Sequence, residues 1–213
     1  MRRARDLYET ASWQTRALLA YQPMTGIVLE PCVGDGSIAN VLRDYLIHQA
    51  RGKTALVTND ASESTAAQYR FNATSDDLYL QLSRDYGGVD WVVTNPPYTM
   101  PTCTEIVQRA VRHARIGVAM MLRLSFREPT AVKNPRGPFL KDHPISRLLT
   151  LPRHSFTGDG KSDSTTTEWA IWINDPAYNV GPPILSLYRA ETVYGDQPAV
   201  ESDRLFQIEH EHA

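Results

Sequence analysis

Six short apolar runs, rich in β-branched and aromatic residues, alternate along the chain with stretches whose apolar residues recur at three- and four-residue steps. This alternation constrains the fold more than any other feature, because it is the pattern of a mostly parallel sheet covered by helices on both faces. The predicted strands are Gly26 to Pro31, Thr54 to Asn59, Val89 to Thr94, Ile116 to Leu124, Arg147 to Leu151 and Glu168 to Ile173. The predicted helices are Ser12 to Tyr21, with Ser12 as its N-cap, then Ser37 to Gln49, Ser62 to Phe71 and Thr104 to Ala114, with a short turn near Pro144. Pro183 to Tyr188 reads as one extra strand. Arg127 to Asp142 and Thr157 to Thr167 read as long loops that pack as no element, the first holding three prolines and four basic residues and the second small and polar.

At 213 residues, 42% of them hydrophobic, the expectation is one domain over 1–213 with its own core and no separate target-recognition domain. No apolar run approaches the roughly 18 residues of a membrane span. The basic start, Met1 to Arg5, is followed by polar residues rather than an apolar segment, so no secretory signal is expected and the cytoplasm is the expected location. Cys32 and Cys103 lack CxxC spacing, and the six histidines are scattered, so neither a redox pair nor a metal site is expected. His210 and His212 sit in an acidic tail.

The net charge of −2 hides an uneven distribution. Between Arg109 and Arg153 there are ten Lys or Arg against two acids, Glu128 and Asp142, a segment of +8 that leaves −10 on the remainder. Two readings stand, a solvated helix face and a surface for nucleic acid.

The first strand runs into Glu30-Pro31-Cys32-Val33-Gly34-Asp35-Gly36. Glycines in a strand-to-helix turn let the backbone approach a ligand, and this sheet edge is where ligands bind in open parallel sheets. The dinucleotide fingerprint GxGxxG is not met, since Ala39 stands at its third glycine, and a plain tight turn remains the other reading. The second strand ends at Asn59-Asp60, placing a carboxylate where a ribose diol could be held. Asp76 and Asp77 follow, either as acceptors for an exocyclic amine or as a helix cap.

The most informative stretch is Asn95-Pro96-Pro97-Tyr98, directly after the strand Val89 to Thr94. Two adjacent prolines stiffen the backbone and remove two N–H donors, which leaves the carbonyls and the Asn side chain as a rigid cluster of acceptors. Such a cluster suits a planar NH₂ group: accepting both of its protons draws the nitrogen toward tetrahedral geometry and aims its lone pair at an electrophile. Tyr98 offers a face for stacking. The other reading is a proline-stiffened turn.

Taken together, LEPCVGDG before a helix, an acid ending the second strand and NPPY after a later strand resemble the S-adenosylmethionine-dependent amino-methyltransferases. The adenine-N6 DNA enzymes whose cofactor motif precedes the catalytic motif are the nearest match, over residues 8 to 174. The resemblance implies a seven-stranded, Rossmann-like α/β sheet, mostly parallel, ending in an antiparallel hairpin of Arg147 to Leu151 with Glu168 to Ile173. It assigns S-adenosyl-L-methionine as cofactor, held by Tyr8, Thr10, Glu30, Pro31, Gly34, Gly36, Asp60 and Asp77, with Asp76 as the competing choice for the last. Asn95, Pro96, Pro97 and Tyr98 become the catalytic tetrapeptide, and Phe156 the second aromatic against an extruded base. Residues 175–213 add the extra strand and acidic tail.

The expected reaction is methyl transfer to adenine N6 in DNA by direct attack after base flipping. Cytosine N4, RNA bases, a glutamine amide, and a non-catalytic nucleic-acid-binding subunit are the alternatives. The basic segment favours a polyanion, with Arg127, Lys133, Arg136 and Lys141 meeting phosphates. Target choice would come from loops, a protein partner or a homodimer. Cys32 and Cys103 read as structural, because methylation at an exocyclic amine needs no thiolate.

Overall fold

The computed structural model describes residues 10–48, 54–128, 134–152 and 166–186, and its seven strands join in a single sheet. They are β1 (Ile27–Glu30), β2 (Ala55–Thr58), β3 (Val89–Thr94), β4 (Ala114–Arg123), β5 (Arg147–Thr150), β6 (Thr167–Ile173) and β7 (Ile184–Ser186). The order is β2-β1-β3-β4-β6-β5-β7. β2, β1, β3 and β4 are parallel, and β5 and β7 pair in parallel. β6 runs against both neighbours, with Met121 opposite Trp169 on β4 and Leu149 opposite Trp169 on β5. The expected mixed sheet with its hairpin is therefore present, and the extra strand lengthens it beyond β5.

Helices cover both faces because alternate strand residues are apolar in both directions. On one face, α1 (Ser12–Tyr21) and α2 (Ser37–His48) place Leu18, Leu19, Ile38, Leu42 and Leu46 against Val28, Trp91, Met121 and Trp169. The Trp169 indole N–H donates to the Gln14 carbonyl at 2.9 Å, tying α1 to β6. On the other face, α3 (Asp77–Tyr86), α4 (Thr102–His113) and α5 (Arg136–Asp142) bury Leu78, Leu82, Ile106, Val107, Ala110 and Phe139 over Leu29, Val92, Met120 and Trp172. Each buried aliphatic side chain contributes roughly 1.5–3 kcal/mol. Gly117 has no side chain for a packing reason: a Cβ there would lie 2.6 Å from the Trp91 ring and 2.8 Å from the Trp172 carbonyl. Among the described residues no helix is long and apolar enough to cross a membrane.

Four local expectations are corrected. Ser62 to Phe71 is not a helix. Asp60 accepts from the Ser62 N–H, Asn59 grips both the N–H and the carbonyl of Phe71, and Gln68 and Thr58 exchange side-chain to backbone bonds. These side chains compete successfully with helical hydrogen bonds. The helix lies instead at α3, where Leu78, Tyr79 and Leu82 share a buried face. Third, Ser12 is already inside α1; Ala11 precedes it, and Gln14 Oε1 reaches back to accept the Ala11 N–H at 3.0 Å. Fourth, the described part of the stretch from Arg127 to Asp142 does pack, because Phe139 anchors α5 in the core and Leu124–Arg127 form a 3-10 turn.

Candidate active site

The carboxyl ends of β1, β2 and β3 lie on one edge, with β2 on one side of β1 and β3 on the other, so the strand order reverses at β1. Ligands in open α/β sheets bind at such a point of reversal. After β1, Gly34 and Gly36 adopt φ of +56° and +86°, which only glycine enters without strain. The turn is held from three sides. Val33 N–H donates to the Asn59 carbonyl at 3.2 Å, Gly34 N–H to Asp60 Oδ2 at 2.9 Å, and the Thr94 hydroxyl to the Cys32 carbonyl at 3.3 Å. β1, β2 and β3 thus lock one loop. A Cβ at Gly36 would meet nothing nearer than Asn40 Nδ2 at 4.0 Å, so the turn faces open space.

Asn59 was passed over in the sequence in favour of its neighbour, yet it is fully buried and donates to the Pro31 carbonyl at 2.9 Å and the Phe71 carbonyl at 3.0 Å. It brings Phe71 beside the glycine turn. Its signal was available, since an Asn ending an otherwise apolar strand has to satisfy a buried amide.

Glu30 ends β1 with 1% of its surface exposed, and its Oε2 has no hydrogen-bond partner among the described residues. Burial holds its carboxyl well above the ordinary range, and the Asp35 and Asp60 carboxylates push it the same way. Three acids around one turn make a site that a cationic ligand would stabilise. Among the described residues no group of His, Cys, Asp and Glu has the arrangement of a metal site. Burial pushes the Cys103 thiol up to about 12 and raises that of Cys32 further, so neither is a thiolate at neutral pH, as the structural reading of both requires.

Asn95 follows β3, and its Nδ2 donates to Thr10 Oγ1 at 3.2 Å, which orients the amide. Thr10, read as a cofactor residue, is itself buried and so stands beside the candidate catalytic amide. Pro96 is buried, Pro97 and Tyr98 are half-buried, and the Arg123 guanidinium lies 4.9 Å from the centre of the Tyr98 ring. Arg123 carried no role in the sequence beyond its charge. Asp76 and Asp77 separate clearly: Asp76 accepts from His113 at 2.7 Å with Arg109 and Arg112 close by, while Asp77 is exposed at the start of α3 and accepts from the Ser75 hydroxyl. The His113 hydrogen bond and the two arginines hold the Asp76 carboxyl below its usual value. Tyr8, Lys133 and Phe156 lie outside the described residues.

Much of the basic run is neutralised by acids from elsewhere in the chain. Arg109 and Arg112 face Asp76, Arg115 pairs with Asp90 at 2.8 Å, and Arg127 Nε donates to the buried Glu168 at 2.8 Å. Arg147 is 1% exposed, stacked on Tyr21 and donating to Gln22 Oε1. Arg136 lies over the Phe126 ring at 5.4 Å, and Lys141 is exposed on α5; neither makes an ion pair among the described residues.

No protein-family model matches the chain, and no curated protein matches it by sequence. Solved structures match its fold. A structure from Listeria monocytogenes, assigned to the class I S-adenosylmethionine-dependent methyltransferases, superposes with a TM-score of 0.57 at 13% identity, over 92% of this chain and 68% of that one. The methyltransferase subunit of a type I restriction-modification system from Streptococcus thermophilus gives 0.57 at 13% identity over 78% of this chain and 44% of that one. The type I restriction enzyme EcoKI M protein gives 0.57 at 14% identity, covering 83% and 46%. The chain thus spans less than half the length of the two restriction-system subunits. At these identities the likeness is one of fold, and the fold of this chain is that of the class I methyltransferases.

Proposed function

We propose that the protein is an S-adenosylmethionine-dependent methyltransferase that methylates the N6 amine of adenine in DNA. The observation that carries this reading is the placement of Asn95-Pro96-Pro97-Tyr98 at the end of β3, beside a glycine turn ringed by Glu30, Asp35 and Asp60. The residues present fit the cofactor. A buried carboxyl group whose Oε2 has no partner among the described residues, in a field of two further acids, suits a ligand whose ammonium and sulfonium would favour its ionised form. Glu30 and the Gly34–Gly36 turn would hold its amino-acid end, Asp60 its ribose and Asp77 its adenine, with Tyr8, Thr10 and Pro31 lining the site. When bound, the cofactor supplies an electrophilic methyl group on positively charged sulfur.

The rest of the chemistry belongs to the protein. Asn95 Oδ1 and the Pro96 carbonyl accept the two N–H bonds of the substrate amine, which turns its lone pair toward the methyl group. Pro96 and Pro97 keep that backbone rigid. The base, flipped out of the duplex, stacks on Tyr98, and Phe156 is the proposed second aromatic. No strong base is needed, because the methylated nitrogen turns acidic on transfer and loses its proton to water. The two restriction-system subunits among the similar structures favour DNA as substrate and a specificity-giving protein partner, or a second copy, as the source of target choice.

Incubation with methyl-labelled cofactor and unmethylated DNA, followed by nucleoside analysis, should give N6-methyladenine. Label in N4-methylcytosine, RNA or a glutamine amide would move the substrate to that class. Asn95→Ala should lower turnover about a hundredfold or more with cofactor affinity intact, since the lost acceptor acts on the amine in the transition state. Near-normal turnover would reduce the tetrapeptide to a turn.

A further inference from the structure

The pairing of Arg123 with Tyr98 has a consequence for how the site fills. The acid-lined turn after β1 borders the β3 end on one side, and the end of β4 borders it on the other. Arg123 is the last residue of β4, and its guanidinium lies over the Tyr98 ring from that side at 4.9 Å. Arg136 stands near by. Its guanidinium covers Phe126, its Nε is buried with no hydrogen-bond partner among the described residues, and burial raises the Cys103 thiol at the head of α4 while both arginines oppose that rise. One positive charge therefore lies over the Tyr98 ring and a second stands near by over Phe126, which follows β4. The sheet edge is polarised, negative at β1 and β2 and positive at β4.

We propose that Arg123 is a positioning residue that covers the stacking face of Tyr98 in the free protein and, when a planar base takes that face, swings to hold the phosphate of the same nucleotide. This deepens the nucleic-acid reading of the site and rests on it. The exchange is chemically matched. A guanidinium stacks on an aromatic face much as a base does, and its planar fork also pairs with phosphate oxygens, so a stacking contact is exchanged for a charged one. The apolar ring is never left bare to water, and a base lacking a phosphate gains little by displacing the arginine. Arg136 remains on Phe126 as a second charge toward the same phosphate.

The test is a double-mutant cycle between Arg123 and the backbone charge. The probe is a single-stranded pentadeoxynucleotide with central 2-aminopurine, its two flanking linkages either phosphodiester or neutral methylphosphonate. Binding is read by 2-aminopurine fluorescence, with cofactor affinity measured in parallel by calorimetry. Wild type should bind the neutral probe about tenfold more weakly than the charged one. Arg123→Gln should lose about tenfold on the charged probe and lose nothing further on the neutral one. Arg123→Lys, the safeguard should the Gln variant not fold, keeps the charge without the stacking plane and should bind the neutral probe at least as tightly as wild type. Additive penalties in Arg123→Gln, or a Lys variant weaker than wild type on the neutral probe, would overturn the proposal and leave the nucleic-acid reading standing. Wild type that binds cofactor but neither probe would remove that reading and the proposal with it.

Discussion

Asp60 Oδ2 accepts the Gly34 N–H at 2.9 Å, so the acid that follows the second strand also holds the glycine turn that follows the first. Its other oxygen accepts from Ser62 N–H at 2.8 Å. The two roles, binding and scaffolding, are graded by substitution. Asp60→Asn keeps one acceptor oxygen for one of the two N–H groups and turns its NH₂ against the other, so cofactor affinity should fall about tenfold and stability by about 1 kcal/mol. Asp60→Ala removes both acceptors and should cost about 1–3 kcal/mol of stability with a larger loss of affinity. Calorimetric titration with thermal melts checks this, and unchanged affinity in Asp60→Ala would remove Asp60 from the site.

The carboxyl of Glu30 has its folded-state pKa raised by burial and by its acidic neighbours. A group whose folded pKa exceeds its unfolded value favours folding when protonated. Stability of the ligand-free protein should therefore decline as pH rises from the ordinary carboxylate range toward the folded pKa. Glu168, also raised by burial, adds to the decline in wild type. Glu30→Gln should lessen that slope and be the more stable protein at neutral pH without ligand, while binding cofactor far more weakly. Denaturant midpoints against pH for both proteins decide it; parallel curves would mean Glu30 does not titrate as proposed.

Arg127 and its basic neighbours should behave differently. Arg127 is tied to buried Glu168, so Arg127→Gln should destabilise the fold, by about 1–3 kcal/mol, because it leaves a buried carboxylate without its cation. Arg136→Gln with Lys141→Gln should instead cost about 0.5–1 kcal/mol, the loss of the Phe126 contact, and reduce the slope of log affinity against log salt on duplex DNA by about 2. An unaltered slope in the double variant would place the DNA surface elsewhere.

Gly117→Ala tests the packing of the central sheet. The added methyl would meet the Trp91 ring at 2.6 Å and a backbone oxygen at 2.8 Å, neither of which can move cheaply. Overpacking of this kind costs about 1–3 kcal/mol, or several degrees in melting temperature. A melting temperature equal to wild type would show that Trp91 has room to shift.

Strands and most helices were readable because their signals are local. Ile38, Leu42 and Leu46 repeat at helical steps within a dozen residues and are buried on one face, and the helix expected over Thr104 to Ala114 buries Ile106, Val107 and Ala110. The turn from Glu30 to Gly36 and the tetrapeptide from Asn95 to Tyr98 were legible for the same reason: glycine and proline carry their backbone constraints wherever they stand. Ser62 to Phe71 was misread because its fate depends on Asn59 and Thr58 of the preceding strand, which capture its backbone groups.

By itself, then, the sequence determined the alternation of elements, the glycine turn and the proline-stiffened acceptors. Only the tertiary structure decided which charges remain available and what touches the candidate catalytic residues. Asp76, Asp90 and Glu168 cancel arginines 25 to 41 residues away, and Asn95 meets Thr10 across 85 positions. The physical reason is the sheet order, in which β3 lies between β1 and β4 and β6 intervenes between β4 and β5. Strand order sets which side chains share an edge, and a charge's worth depends on the partner and the burial it finds there.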